Sequence, residues 1–333
     1  GTLESWIKLQ GDHEAFFLVA DLHVLTTDFK HPDRIQENIL NLLVDWLAAG
    51  IDPEKSNLVL QSALPEHAQL SLLLNMLVTV ARAERVPTYK EQIQELDIKP
   101  SLGLLTYPVL QSADILLYKA HKVPVGEDQL PHIELTREVA RCFNRLYGET
   151  FPIPEALTNK SKAARLPGVD NRTMHTSYEN AIYIRDTPEE TAKKIMGMYT
   201  DPNRIHTTDP GTVKGNPVFI YHDIFNSDMD LVEDLKERYR AGKVGDVEVK
   251  QLLADDVNEY LAPIRAKRDK LAQHPHKIIG VLQEGTDKAR PIVQSAFEEI
   301  QEKMGLLSPI IPSNGHSIEL FRQTLQRKPL SFI

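Results

Sequence analysis

The stretch VPVGEDQLPHIELTREVARCFNRLYG, residues 123–148, runs from a short β-rich segment into a long amphipathic helix. Gly126 and three polar residues, Glu127, Asp128 and Gln129, stand at the junction. In open parallel α/β sheets, ligands bind where strands end and helices begin. A glycine there lets a ligand approach the backbone, and a ribose can donate hydroxyl hydrogen bonds to the carboxylates. The corner has a plainer account, in which Asp128 caps the first turn of the helix. Taken alone, the cap is the simpler reading.

Working outward, the first half of the chain alternates strands and helices. AFFLVAD (15–21) is an apolar run suited to a strand covered on both faces. HPDRIQENILNLLVDWLAAG (31–50) reads as a helix capped by Asp33 and ended by Gly50. SNLVLQS (56–62) is the next strand, and Pro65–Glu66 open a helix that the pattern carries to about Ala83. Asp21 and His23, Gln61 and Ser62, and Glu127–Gln129 then mark three polar strand ends. The βαβα order predicts an α/β fold with a doubly wound, Rossmann-like parallel sheet. From about Pro188 the strand signal fades. Helices are expected near 229–241, 247–273, 276–284 and 288–304, which makes a helical C-terminal domain. The expected division is 1–184, 185–306 and a Pro- and Gly-punctuated tail at 307–333.

One helix upstream of the corner carries a polar stripe. Tyr107, Gln111, Asp114 and Tyr118 recur at helical spacing, and Leu110 and Leu117 flank Asp114. A carboxylate in apolar surroundings needs a donor. An indole N–H fits, and a structural bond to Tyr107 or a neighbouring element fits equally.

Composition removes several function classes. A net charge of −9 disfavours a general nucleic-acid coat, though not a local basic surface. One cysteine, Cys142, excludes a disulfide framework and any multi-cysteine zinc or iron–sulfur site. Its spacing with Leu135, Val139 and Leu146 reads as a core thiol, and a reducing cytoplasm fits. No apolar run is long enough to span a bilayer. There is no G-x-G-x-x-G and no Walker A loop, so dehydrogenase and P-loop chemistry are disfavoured. The basic run RAKRDK (265–270) reads as a solvated helix face before it reads as a phosphate contact.

YPVLQSADILLY (107–118) followed by VPVGEDQLPHIELTRE (123–138) resembles the bacterial type of tryptophanyl-tRNA synthetase, a class I aminoacyl-tRNA synthetase. VADLHVLTT (19–27), ERVPTYKE (84–91) and the GMYTDP, TDPG and GNPVF segments extend the likeness to about Leu306. The resemblance implies that Asp114 accepts the indole N–H of L-tryptophan, and that Tyr107 and Gln129 hold its α-ammonium group. His23, Gln111, Val123 and Val125 would line the pocket. Gly126, Glu127, Asp128, Lys90, Ala163 and Met174 would serve ATP. It further implies Mg²⁺ acting with the nucleotide, tRNA(Trp) as partner, a homodimer and no membrane association. No residue is assigned as a metal ligand.

Two departures from the family stand out. Its opening strand and HIGH-type signature would precede Gly1. Its KMSKS loop aligns with Thr173, Met174, His175, Thr176 and Ser177, so threonines replace both lysines. Losing one transition-state charge contact typically costs roughly 3–4 kcal/mol. The alternative expectation is therefore a tryptophan-binding paralogue with weak or no aminoacylation. The family's iron–sulfur variant is excluded, because its aligned neighbourhood has no cysteine.

Overall fold

The structure is a computed structural model that describes residues 2–96, 99–158, 166–172, 174 and 180–306. In chain order its elements are α1 (Thr2–Leu9), β1 (Ala15–Val19), α2 (Asp21–Asp28), α3 (Ile35–Ala49), β2 (Ser56–Leu60), α4 (Glu66–Asn75), α5 (Val80–Ala83), α6 (Pro87–Leu96), α7 (Leu102–Leu116), β3 (Lys122–Val125), α8 (Leu130–Tyr147), β4 (Glu155–Thr158), α9 (Pro188–Met196), α10 (Pro217–Phe225), α11 (Met229–Arg240), α12 (Asp246–Ala272) and α13 (Pro275–Lys303). Among the described residues the sheet is two short pieces rather than one continuous doubly wound sheet. β1 pairs parallel with β2, from Ala15 opposite Ser56 to Val19 opposite Leu60. β3 pairs with β4.

The chain forms two compact units. The first runs from the N-terminus to Ala63 and takes in 122–130 and 156–288. Around its parallel strands, Phe17, Val19 and Leu58 pack with Leu43, Val44 and Leu47 of α3 and with Ile278 and Leu282 of α13. Trp6 stacks on Phe17, and its indole N–H donates to the Pro124 carbonyl of β3 at 3.3 Å. A separate apolar core, including Ile195, Phe219, Leu235, Tyr239, Leu253 and Val257, joins α9 to α12. Thr187 starts α9 with a full capping box, its side chain accepting from Glu190 N–H while the Glu190 side chain accepts from Thr187 N–H.

Arg204 anchors that helical core. Its guanidinium is 1% exposed and pairs with Asp246 at 3.2 Å. It also donates to the carbonyls of Thr207, Asp209 and Val244, and stacks over the Tyr239 ring at 4.1 Å. Burial pushes the Tyr239 phenol up to about 12, so it stays protonated and donates to Asp246. Lysine cannot reproduce a planar fork with five donors. Arg204→Lys should therefore lower unfolding stability by about 3 kcal/mol, read as a shifted urea midpoint.

The second unit comprises 64–121, 131–155 and, among the described residues, 289–306. α4 packs on α7 there. Leu70, Leu74, Leu104, Leu116 and Leu117 are fully buried, as are Phe143 of α8 and Val293 and Ile300 of α13.

Several local expectations are corrected. Asp33 sits in a 3-10 turn, Pro32–Arg34, and no side chain caps α3. The helix expected through Ala83 breaks after Asn75. The β-branched Val78–Val80 run disfavours continuation, and the Thr79 hydroxyl caps a fresh turn by accepting from Arg82 N–H. The two helices expected at 276–284 and 288–304 are one, α13. Gly285 looks like a break but is buried inside it, and Thr286 returns its hydroxyl to the Leu282 carbonyl. Cys142 is half-buried rather than a core thiol, because Leu146 on its face is exposed. Within RAKRDK, Arg268 pairs with Asp45 at 2.7 Å, and Arg265 donates to Asn258 and Thr191. Those two arginines are structural ties, and of the run's basic residues the lysines are the exposed ones.

Candidate active site

The α7 stripe is the richest polar cluster of the second unit. Ser101 caps α7 by accepting from Leu104 N–H at 3.1 Å. The rotation set by this start turns Asp114 toward α4. Its side chain is 9% exposed and its Oδ1 lies 2.7 Å from His67 Nδ1, on a histidine with no exposed surface. An ionised carboxylate only accepts, so Nδ1 carries the proton. The other ring nitrogen lies 3.2 Å from the Tyr118 hydroxyl. Burial, reinforced by the charges of Asp114 and Glu66, pushes the Tyr118 phenol far up, so it remains a donor. The donor that Asp114 required thus includes a neighbouring element's side chain, while Tyr107 points elsewhere.

Tyr107 belongs to a second chain of hydrogen bonds. Its hydroxyl meets Thr88 Oγ1, which lies 2.6 Å from His132 Nε2. His132 Nδ1 lies 2.6 Å from Gln111 Oε1. Because Gln111 Oε1 accepts, His132 holds its proton on Nδ1 and accepts at Nε2. The chain then runs one way, from Tyr107 through Thr88 and His132 to Gln111. Burial raises the Tyr107 phenol, the Thr88 bond partly offsets this, and Glu91 adds to the rise. Tyr107 is accordingly a neutral, oriented phenol.

In the first unit the strand ends are tied to one another. The fully buried Gln61 accepts from Leu22 N–H at 3.1 Å, and Asp21 accepts from Ser62 N–H at 3.0 Å. These polar ends are structural cross-ties. His23, beside them on α2, is half-buried, as are Val123 and Val125 on β3. The Gly126 corner forms a 3-10 turn, Glu127–Gln129, with no side-chain cap. The Asp128 carboxylate accepts from Gln129 Nε2 at 2.6 Å, and a β-carbon on Gly126 would stand 2.5 Å from the Asp128 Oδ1. Glycine here makes room for the folded-back carboxylate. Glu127 and Asp128 are exposed.

Lys90 is exposed on α6 and Met174 is half-buried. Ala163, Thr173, His175, Thr176 and Ser177 lie outside the described residues. Just before them Asp170 accepts from Arg172 N–H at 3.0 Å and from Asn180 Nδ2 at 2.9 Å, and pairs with the Arg172 guanidinium at 2.7 Å. Desolvation raises the Asp170 carboxyl, but those donors together hold it down at about 2. Among the described residues no cluster of three or more histidine, cysteine or acidic side chains could hold a metal ion.

Residues 1–262 match the family model of tRNA synthetases class I (W and Y). The chain belongs to this family. It is 47% identical over 310 residues to a tryptophan–tRNA ligase of Treponema pallidum, covering 92% of this chain and 91% of the relative. Its structure matches a tryptophanyl-tRNA synthetase from Campylobacter jejuni complexed with ADP and tryptophan. The TM-score is 0.79 and the identity 32%, over 92% of this chain and 94% of that one. It also matches the Mycoplasma pneumoniae tryptophanyl-tRNA synthetase, with a TM-score of 0.75 and 27% identity over 93% of each chain. The fold is therefore the Rossmann-like α/β architecture of the class I synthetases with a helical region, as the βαβα order predicts.

Within this synthetase, sequence reasoning missed His67, Thr88 and His132. Each contacts an expected site residue, His67 and His132 through buried rings and Thr88 from a half-buried position. The available signal was a histidine near the start of a helix and beside apolar positions, at His67 and again at His132, where burial without a partner would be costly.

Proposed function

We propose that this class I synthetase activates L-tryptophan with ATP and transfers it to tRNA(Trp). The Asp114 carboxylate, whose side chain is only 9% exposed, on α7 of a chain 47% identical to a tryptophan–tRNA ligase, carries the reading. A site that hydrogen-bonds a substrate N–H rejects analogues lacking it, because its own polar group is then left unpaired.

In this reading Asp114 accepts the indole N–H, while Tyr107 and Gln129 hold the α-ammonium group. Gln111, His23, Val123 and Val125 shape the apolar remainder. Gly126, Glu127 and Asp128 receive the ribose. Lys90 serves the phosphates, with Ala163, Met174 and the 173–177 segment on the nucleotide. Mg²⁺ enters as part of the ATP substrate. A carboxylate oxygen of tryptophan attacks the α-phosphorus. The bond to the bridging oxygen breaks, and pyrophosphate leaves with its electron pair. A terminal hydroxyl of tRNA then attacks the acyl carbon, AMP leaves, and the hydroxyl proton goes to solvent. The protein contributes chiefly positioning and charge stabilisation.

The reading divides the chain into a catalytic domain at 1–184 and a helical, anticodon-binding-like domain at 185–306, and the apolar core joining α9 to α12 is the helical packing such a domain would have. The reading includes a homodimer in the cytoplasm. No helix among the described residues is long and apolar enough to cross a membrane.

The test is ATP–pyrophosphate exchange on the full chain. Exchange should require L-tryptophan, and phenylalanine and tyrosine should not support it. Exchange no faster than a no-enzyme blank, with tryptophan still bound, would overturn the ligase reading.

A further inference from the structure

We propose that His67 is the positioning residue for Asp114, its Nδ1–H holding the carboxylate in the orientation that reads an indole N–H. The inference rests on the proposed role of Asp114 and adds a residue to it.

The geometry is a three-member relay inside one compact unit. His67 on α4 places Nδ1 2.7 Å from Asp114 Oδ1 on α7. Its Nε2 lies 3.2 Å from the Tyr118 hydroxyl. The two rings stand 5.7 Å apart between centroids. The imidazole is fully buried, so its ring cannot turn without losing packing as well as both hydrogen bonds. An ionised carboxylate only accepts, so the proton between the two groups sits on Nδ1, aimed at Asp114. A carboxylate has about four lone-pair positions, so accepting from His67 leaves capacity for a ligand N–H. An aspartate has two soft torsions. With one oxygen held by a rigid ring, the carboxylate plane is set before any ligand arrives, and binding need not include the ordering cost.

A residue that only packs would weaken all ligands alike. A residue that orients Asp114 weakens only those bearing the indole N–H. The experiment therefore compares L-tryptophan with its sulfur isostere, β-(3-benzothienyl)alanine, by titration calorimetry on the full chain. The ratio of the two affinities comes from one preparation, so any unfolded fraction cancels. It also needs no catalytic turnover, so a chain without exchange activity still gives an answer.

Wild-type protein should prefer tryptophan by about 10- to 100-fold, the span of a hydrogen bond to a charged group. His67→Leu should lose about tenfold of that preference. His67→Asn, whose Nδ2 occupies the place of Nδ1, should retain most of it. Tyr118→Phe, which keeps the ring shape, should lose about two- to threefold. Wild-type preference in His67→Leu, beside its loss in Asp114→Ala, would overturn the proposal and spare the reading of Asp114. Equal losses in His67→Leu and His67→Asn would overturn it too, because packing would then explain both. Unchanged preference in Asp114→Ala would sink the role of Asp114 and the proposal together.

Discussion

Asp114→Ala should lower kcat/KM for L-tryptophan in ATP–pyrophosphate exchange by about 100-fold, with KM for ATP changed by less than about threefold. The loss has two sources. The indole N–H loses a charged acceptor in a nearly dry setting, and hydrogen bonds to charged groups are worth about 1.5–3 kcal/mol. The Nδ1–H of buried His67 also loses the carboxylate oxygen that lies 2.7 Å away. Asp114→Asn is the informative companion. The amide keeps the shape but has one carbonyl oxygen, for which His67 and the indole would compete. Its kcat/KM should fall between those of wild type and alanine. A tenfold or greater rise in KM for ATP in the alanine variant would show general damage and remove the argument for indole recognition.

Gly285→Ala should destabilise the protein by about 3 kcal/mol, although the same change at most helical positions stabilises. In an exposed helix interior alanine is favoured over glycine by about 1 kcal/mol. At Gly285 a β-carbon would stand 2.2 Å from the Leu58 carbonyl oxygen and 2.7 Å from its nitrogen. Those atoms belong to the backbone of β2 and cannot swing aside as a flexible side chain could. α13 would have to lift from the strand. The next residue, Thr286, would then lose its bond from Leu60 N–H at 3.0 Å. Overpacking of this kind typically costs about 1–3 kcal/mol, and the lost seat of Thr286 adds to it. Gly280, on the same helix, has nothing within 4 Å of its β-carbon position. Gly280→Ala should raise stability by about 0.5–1 kcal/mol. Urea unfolding of the pair checks both signs, and a stabilised Gly285→Ala protein would refute the close seating of α13 on β2.

The sequence carried different information about different parts of this molecule. The βαβα order and the α7 stripe are local patterns with a short period, and each appears as read. The Gly126 corner was also located correctly, but a 3-10 turn intervenes between strand and helix there, and the Asp128 carboxylate accepts from Gln129. The breaks went wrong where side-chain identity spoke against the neighbours. The helix that apolar spacing would have carried on to Ala83 ends at Asn75, and the β-branched Val78–Val80 run that follows starts a new turn capped by Thr79. Gly285 sat within a helix that glycine content would have ended.

Periodicity fixed which face of each helix turns inward, and so by itself it determined the fold class, the stripe and the chemistry that Asp114 can offer. It is silent on what covers that face. His67 lies 47 positions from Asp114, and Thr88 lies 44 from His132. Their pairing follows from how α4, α6 and α8 fold around α7, which no local pattern encodes. A buried polar group announces that it needs a partner, and only the packed chain decides who the partner is.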